Sequence, residues 1–96
     1  MDERVTRQLV RRFDIVNKRG LHARASARFV QLAESFDAEI SVTKDGVSVG
    51  GTSIMGLMML AASPGCCINV AASGPEAEKA LDALETLIAN RFGEES

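Results

Sequence analysis

A single imidazole and the cations around it are the chemically reactive feature of this chain. His22 is the only histidine, and it lies in the segment Asn17 to Arg28, which reads NKRGLHARASAR. Arg19 and Arg24 lie close on either side of it, and a helix is predicted to begin directly after it. A helix start presents unpaired backbone N–H groups and the positive end of the helix dipole, so this position favours an anion.

The residue types around His22 favour phosphoryl chemistry. A helix start disfavours imidazolium, so a neutral ring with a free lone pair is expected at pH 7. Attack by that lone pair on phosphorus would leave a dianionic group, which helix N–H groups and the Arg24 guanidinium could hold. Arg24 opposes the helix dipole, and this unfavourable placement indicates a function. A simple capping histidine and a solvated arginine are the competing interpretations.

Length, charge and cysteine usage limit the class of protein. The 96 residues suffice for one domain, 1–96, and the net charge of −2 argues against nucleic acid as a general partner. No apolar run reaches the ~20 residues of a membrane helix, and the charged N-terminus lacks a signal-peptide core. A disulfide between adjacent Cys66 and Cys67 would be strained, so free thiols in a cytoplasmic setting are expected. With one distant histidine the cysteines make a poor zinc site, so we expect no metal and no cofactor.

Hydrophobic periodicity predicts the elements that position His22. Strand patterns and turn signals alternate with segments whose apolar residues recur at helical spacing. The order is β-α-β-β-α-β-α, which predicts an α+β domain with a four-stranded, mainly antiparallel sheet covered on one face by three helices. The predicted elements are a strand from about Gln8 to Val16, a helix from about Ala23 to Phe36, a strand over 38–43, a return strand with Val47 and Val49 after the Asp45-Gly46 turn, a helix from Ile54 to about Leu60, a strand with Cys66, Ile68, Val70 and Ala72 facing inward, and a helix opened by Ser73-Gly74-Pro75-Glu76 and ended by Gly93. Residues 1–7 and 93–96 are expected to fray.

The short second helix is apolar on almost every side. It has too few turns to bury all its large side chains, so a stripe containing Ile54, Met55, Met58 and Met59 is predicted to be partly exposed. Methionines adapt to several partners, which indicates a docking patch, and core packing is the competing interpretation. Ser53 is most simply the N-cap of this helix. A phosphate there would be tolerated by the helix start and would add about −1.5 to −2 charge beside an apolar surface, so a phosphorylation site is the second interpretation.

Three segments occur in a fixed order: GLHARASARFV, GGTSIMGLMMLAASPGC and AASGPEAEKALDAL. Together they resemble the HPr family, the histidine phosphocarriers of the bacterial phosphotransferase system, over about Arg12 to Phe92. The resemblance implies an open-faced β-sandwich with strand order 1-4-2-3. It also implies that His22 is an active-site histidine carrying phosphate on Nδ1, with Arg24 as the active-site arginine.

The resemblance further implies a phosphoryl carrier rather than an enzyme with independent turnover. Such a carrier would take a phosphoryl group derived from phosphoenolpyruvate from enzyme I and pass it to IIA proteins of a sugar or nitrogen-related system. Ser53 would be phosphorylated by HPr kinase/phosphorylase. No sequence pattern indicates an oligomer, so a monomer is expected. Partner docking would use Ala23, Ala27, Ile54, Met55 and Met58.

Three features depart from the common family pattern. Ala25 stands where many members have proline, and alanine fits a helix well, so activity should survive. Thr52 stands where several members have lysine or arginine, which lowers the positive charge near Ser53. The N-terminus also runs several residues longer than usual.

Two other classes of function remain as alternatives. Small RNA-binding or ligand-sensing domains share the element order. RNA-binding domains stack bases on strand aromatics, whereas this chain has no Trp or Tyr and its only predicted strand aromatic is Phe13. A small phosphatase or hydrolase could use His22. No local serine, cysteine, paired carboxylate or metal ligand accompanies the imidazole in such a role.

Overall fold

The computed structural model describes residues 8–94, in which four strands pack against three helices. In chain order the elements are β1 (Gln8–Asp14), α1 (Ala23–Glu34), β2 (Glu39–Lys44), β3 (Val47–Gly50), α2 (Ile54–Met59), β4 (Cys67–Ser73) and α3 (Ala77–Ala89), followed by a 3-10 turn at Arg91–Gly93. The predicted class and element order are confirmed. Residues 1–7, for which fraying was predicted, lie outside the described residues. Within 8–94, no helix has the length and apolar character needed to cross a bilayer.

The sheet has the order β1-β4-β2-β3, and every neighbouring pair of strands is antiparallel. This is the strand order that the family resemblance implied. In the central strand β4, Ile68, Val70 and Ala72 are buried while Asn69 between them is exposed. This alternation gives the sheet one buried face, and the helices cover it because their apolar stripes join the same core.

The first helix follows its predicted period but ends two residues early. Ala25, Phe29 and Ala33 face the core at helical spacing. The helix ends at Glu34 because the Ser35 N–H and hydroxyl both turn back to the Leu32 carbonyl oxygen, at 3.1 and 2.6 Å. The chain therefore leaves the helix before the predicted end at Phe36.

Two details near the last strand correct the sequence prediction. Cys66 was predicted to face inward in β4, but it precedes the strand and is half-buried, and its carbonyl accepts a hydrogen bond from the Ile15 N–H at 2.9 Å. Cys66 and Cys67 both carry free thiols. Pro75, in the segment predicted to open the last helix, lies before the N-cap of α3, which is Glu76, and the Glu76 N–H donates to the Asp37 carbonyl oxygen.

A close backbone approach fixes the loop that leads into α1. Gly20 has φ +63°, and a Cβ atom at this position would lie 2.2 Å from the Ala62 carbonyl oxygen. The next residue, Leu21, donates its N–H to the same oxygen at 2.9 Å. Only glycine allows both this conformation and this contact, so the loop before His22 is held against the segment that follows α2.

We expect Gly20→Ala to lower the free energy of unfolding more than Gly46→Ala does. Both positions have positive φ, so both variants carry the left-handed penalty of about 1–2 kcal/mol. Gly46 has open space around it, whereas the new methyl group at Gly20 meets Ala62, which adds about 1–3 kcal/mol. Urea unfolding followed by circular dichroism measures both, and equal losses would contradict the proposed contact.

Candidate functional site

His22 is the N-cap residue of α1, and its ring forms the cap. Its backbone is extended, with φ −74° and ψ −178°, and its carbonyl accepts the first helical hydrogen bond, from the Ser26 N–H at 2.9 Å. The ring atom Nδ1 accepts a hydrogen bond from the Arg24 backbone N–H at 3.2 Å. An atom that accepts an N–H carries a lone pair and no proton, so Nδ1 is the nucleophilic nitrogen of this ring.

The other ring nitrogen of His22 meets a carboxylate. Glu94 Oε2 lies 2.5 Å from His22 Nε2, and the two side chains are 17% and 16% exposed. With the lone pair on Nδ1, the proton is on Nε2, which donates it to Glu94. The two contacts together select one tautomer of the imidazole.

A buried asparagine holds the carboxylate in place. The side chain of Asn17 is fully buried, and its Nδ2 donates to Glu94 Oε1 at 2.9 Å and to the Gly20 carbonyl at 2.8 Å. Partial burial raises the pKa of Glu94, but hydrogen bonds from Asn17 and His22, with the charge of Arg19, outweigh it and lower the pKa. The carboxylate is therefore ionised where it meets the ring.

The segment after α3 brings Glu94 to the site. Arg91 and Phe92 both have φ +55°, and the Phe92 side chain is 0% exposed. The guanidinium of Arg28 donates to the Phe92 carbonyl oxygen. Residues 93 and 94 were predicted to fray. In the structure a buried aromatic ring and three hydrogen bonds hold this segment, and residues 95–96 lie outside the described range.

Arg24 and Arg28, the two arginines of α1 near His22, have different roles. Arg28 points its guanidinium at the Phe92 carbonyl, so it anchors the tail. Arg24 is exposed in the first turn of α1, and within residues 8–94 its guanidinium forms no ion pair or hydrogen bond. Of the two, Arg24 is the cation available to an incoming anion.

The second predicted feature is the serine at the start of α2. The Ser53 hydroxyl accepts a hydrogen bond from the Gly56 N–H at 3.0 Å, so Ser53 is the N-cap, as predicted, and it is exposed. A Cβ at Gly56 would lie 2.9 Å from that hydroxyl oxygen, so glycine suits this tight turn.

An exposed apolar patch covers α2 and the first residues of α1, which is the neighbouring helix. Within α2 only Leu57 is buried, while Met55 and Met59 are 74% and 79% exposed. The helices α1 and α2 pack together, and the Ala62 carbonyl joins the segment after α2 to the residue before His22. We call this set the apolar patch: Ala23, which is exposed; Ala27, which is half-buried; and the exposed residues Ile54, Met55, Met58 and Met59.

Chemically, the site is a nucleophilic nitrogen at a cationic helix end. Attack by Nδ1 on an electrophile would replace its hydrogen bond with Arg24, and the group received would lie beside the free N–H groups of the first turn. These donors and the Arg24 guanidinium suit a phosphoryl group. No described serine or cysteine side chain is hydrogen-bonded to the ring, which disfavours triad hydrolysis.

The sequence pattern points to His22, Arg24 and Ser53 as candidate site residues, whereas no local pattern points to Glu94 or Asn17. Neither local periodicity nor spacing links Glu94 to a ring 72 positions away in the chain. One signal was available: Phe92 is a lone aromatic residue in a polar tail, directly before a glycine. Burying so large an apolar side chain is favourable, and a terminus that is tied down in this way is ordered.

Comparisons with known proteins converge on one family. A family model described as the PTS HPr component phosphorylation site matches residues 9–90. The phosphocarrier protein HPr of Cupriavidus necator is 51% identical over 80 residues, covering 83% of this chain and 90% of the relative. The phosphocarrier protein NPr of Shewanella violacea is 39% identical over 89 residues, covering 93% and 98%. A crystal structure of an HPr from Thermoanaerobacter tengcongensis superposes with a TM-score of 0.84 at 43% identity, covering 94% of this chain and 99% of that one.

The lowered pKa of Glu94 predicts a pH-dependent contribution to stability. A carboxyl whose pKa is lower in the folded state stabilises the fold above its unfolded pKa, and this contribution is lost as the pH falls through the folded value. We therefore expect Glu94→Gln to lower the free energy of unfolding at pH 6 by about 1 kcal/mol or less, and to have a smaller effect at pH 3. Urea unfolding at both pH values measures this. A loss that is equal at both, or that matches the control Glu34→Gln, would contradict the prediction.

Proposed function

The chain belongs to the HPr family of phosphotransferase-system phosphocarriers, and we propose that His22 is the residue that carries the phosphoryl group, on Nδ1. The observation that carries this proposal is the ring's pair of contacts. The Arg24 backbone N–H at Nδ1 and the Glu94 carboxylate at Nε2 make Nδ1 the nitrogen with the lone pair. In this state the ring can attack without first losing a proton.

The proposed donor is phosphorylated enzyme I, itself charged from phosphoenolpyruvate. The Nδ1 lone pair forms the bond to phosphorus while the bond from phosphorus to the donor nitrogen breaks, and that electron pair stays on the donor. The N–H groups of the first turn of α1 and the Arg24 guanidinium then bind the phosphoryl oxygens. Transfer to a IIA protein reverses these steps at a new acceptor.

The apolar patch is the proposed docking surface for both protein partners. Methionine side chains are flexible and polarizable, so one surface can fit enzyme I and several IIA proteins. The patch is linked to the His22 loop through Leu21 and Ala62, so a partner seated there has access to the ring. The carrier is proposed to act as a monomer in the cytoplasm, where the free thiols of Cys66 and Cys67 suit a reducing compartment.

Ser53 is the proposed regulatory site, and a serine kinase of the HPr kinase/phosphorylase type is the proposed modifying partner. Its hydroxyl is exposed and lies at the head of the helix that carries most of the apolar patch. A phosphate at this position would add about −1.5 to −2 charge to the docking surface. Desolvating that charge against an apolar partner weakens docking, which would lower acceptance of phosphate from enzyme I.

The central test is phosphorylation of the protein by phosphoenolpyruvate and purified enzyme I. We expect the wild type to gain one acid-labile phosphoryl group per chain, seen by intact-mass spectrometry and by the ³¹P NMR signal of an N-phosphoimidazole. His22→Asn keeps a side chain that caps helices well, so it should fold and gain none. Uptake of acid-labile phosphate by this variant would refute the assignment. Turnover of a simple phosphoester by the wild type would instead favour a phosphatase.

The docking role of Ser53 is tested by comparing two substitutions. Ser53→Asp places a negative charge at the patch, and we expect the rate of phosphorylation by enzyme I to fall about tenfold, which corresponds to about 1.4 kcal/mol. Ser53→Ala loses the cap, at a cost of about 1 kcal/mol in stability, but adds no charge, so its rate should stay near that of the wild type. A wild-type rate for Ser53→Asp would contradict the proposal, as would equal losses in the two variants.

A further inference from the structure

Both carboxylate oxygens of Glu94 contact described side chains at the His22 ring. One carboxylate oxygen accepts from the buried Asn17 amide at 2.9 Å, and the other meets His22 Nε2 at 2.5 Å. The same Asn17 amide group also donates to the Gly20 carbonyl, in the loop that leads to His22. The carboxylate and the histidine loop are thus fixed to one buried side chain.

Side-chain contacts also fix the backbone directly before Glu94. Phe92 is fully buried, and Arg28, on the helix that His22 caps, donates to the Phe92 carbonyl oxygen. Two successive non-glycine residues, Arg91 and Phe92, adopt positive φ, a conformation that costs free energy and is retained only where surrounding contacts enforce it. The structure thus uses unfavourable backbone geometry to bring one carboxylate to the imidazole.

From this geometry we infer that Glu94 is a positioning residue for phosphoryl transfer: its carboxylate keeps the proton on His22 Nε2 throughout the cycle. The inference rests on the proposed function and extends it to the second ring nitrogen. Glu94 does not touch the phosphoryl group. It acts through the ring, since its carboxylate lies at Nε2 while the reaction takes place at Nδ1.

The proton balance shows why this position matters for accepting phosphate. When the Nδ1 lone pair bonds to phosphorus, the bond between phosphorus and the donor nitrogen breaks and its electron pair stays on the donor. No proton enters or leaves His22, so a ring that keeps its Nε2 proton becomes a cation. A carboxylate in contact with Nε2 stabilises that cation directly.

The same proton matters for passing phosphate on. In the onward step the bond between phosphorus and Nδ1 breaks, and its electron pair returns to Nδ1. A ring that still bears the Nε2 proton leaves as neutral imidazole, whereas a ring that has lost it must leave as the much more basic imidazolide anion. By holding the proton, Glu94 keeps the phosphorylated protein ready to transfer as the pH rises.

Glu94→Gln tests the inference because it keeps the size of the side chain and removes the charge. A glutamine can accept from Nε2–H, but its NH₂ group can also donate to a deprotonated Nε2, so it no longer favours one protonation state. Glu34→Gln is the matched control, since it removes one exposed carboxylate on α1. Glu94→Ala serves as a second variant, and thermal unfolding by circular dichroism confirms that each protein is folded.

The readout is the protonation of Nε2 in the phosphorylated proteins, followed by ¹⁵N NMR of labelled histidine across pH. We expect the pKa of Nε2–H to be lower by one unit or more in Glu94→Gln and Glu94→Ala than in the wild type, a tenfold loss of proton affinity. The rate of phosphate transfer to an acceptor IIA protein should fall as the pH rises. In these variants the fall should begin at a correspondingly lower pH than in the wild type. Glu34→Gln should match the wild type in both measurements.

The possible results separate this inference from the proposed function. If the wild type carries phosphate on His22 but the Glu94 variants titrate and transfer as the wild type does, the positioning role is refuted and the carrier function stands. If the wild type takes no phosphate from enzyme I, both are refuted. A slower rate with an unchanged pH profile would show a merely structural role and would also refute the inference.

Discussion

The two hydrogen bonds at the His22 ring are the constraint on which the rest of the site depends. A backbone N–H of α1 occupies Nδ1, and the Glu94 carboxylate occupies Nε2. The first contact leaves the lone pair on Nδ1 and the second accepts the proton on Nε2, so together they hold the ring in one orientation and one tautomer. The remaining features of the site hold the two partners in place.

The Arg24 backbone N–H and the Glu94 carboxylate lie far apart in the sequence, and the hydrophobic core holds the segments that carry them together. The helix amide is positioned by the loop from Asn17 to Leu21, which the Gly20 contact with Ala62 ties to the segment after α2. The carboxylate is positioned by Phe92, buried in the same core as α1 and α3. A site built on a helix end and a buried aromatic anchor holds its geometry better than one on free loops, because packing fixes the side chains.

Sequence patterns predicted the helices and turns that depend on interactions between residues close together in the chain. The apolar spacing from Ala25 to Ala33 determines α1, and Asp45-Gly46 forms the predicted two-residue turn with φ +52° and +81°. Ser53 was predicted as an N-cap and His22 was placed at the start of a helix, because helix starts have local sequence signals. Glu94 was missed since its role depends on a contact across 72 positions and on two left-handed residues that have no glycine to indicate them. The early end of α1 at Glu34 was missed because the hydroxyl of Ser35 competes with the next helical turn.

The placement of charge also explains how one site can both accept and release an anion. Donors that bind phosphate too tightly would stabilise the carrier and slow onward transfer, because only interactions stronger in the transition state raise the rate. In the proposed carrier, the cation Arg24 and the helix amides would attract the phosphoryl group on one side of the ring, while the anion Glu94 lies on the other side. In this carrier, Glu94 would repel the phosphoryl group through space and at the same time stabilise the cationic ring to which the phosphoryl group is bonded. These two effects oppose one another, so neither acceptance nor release of the phosphoryl group would be favoured by Glu94 through charge alone.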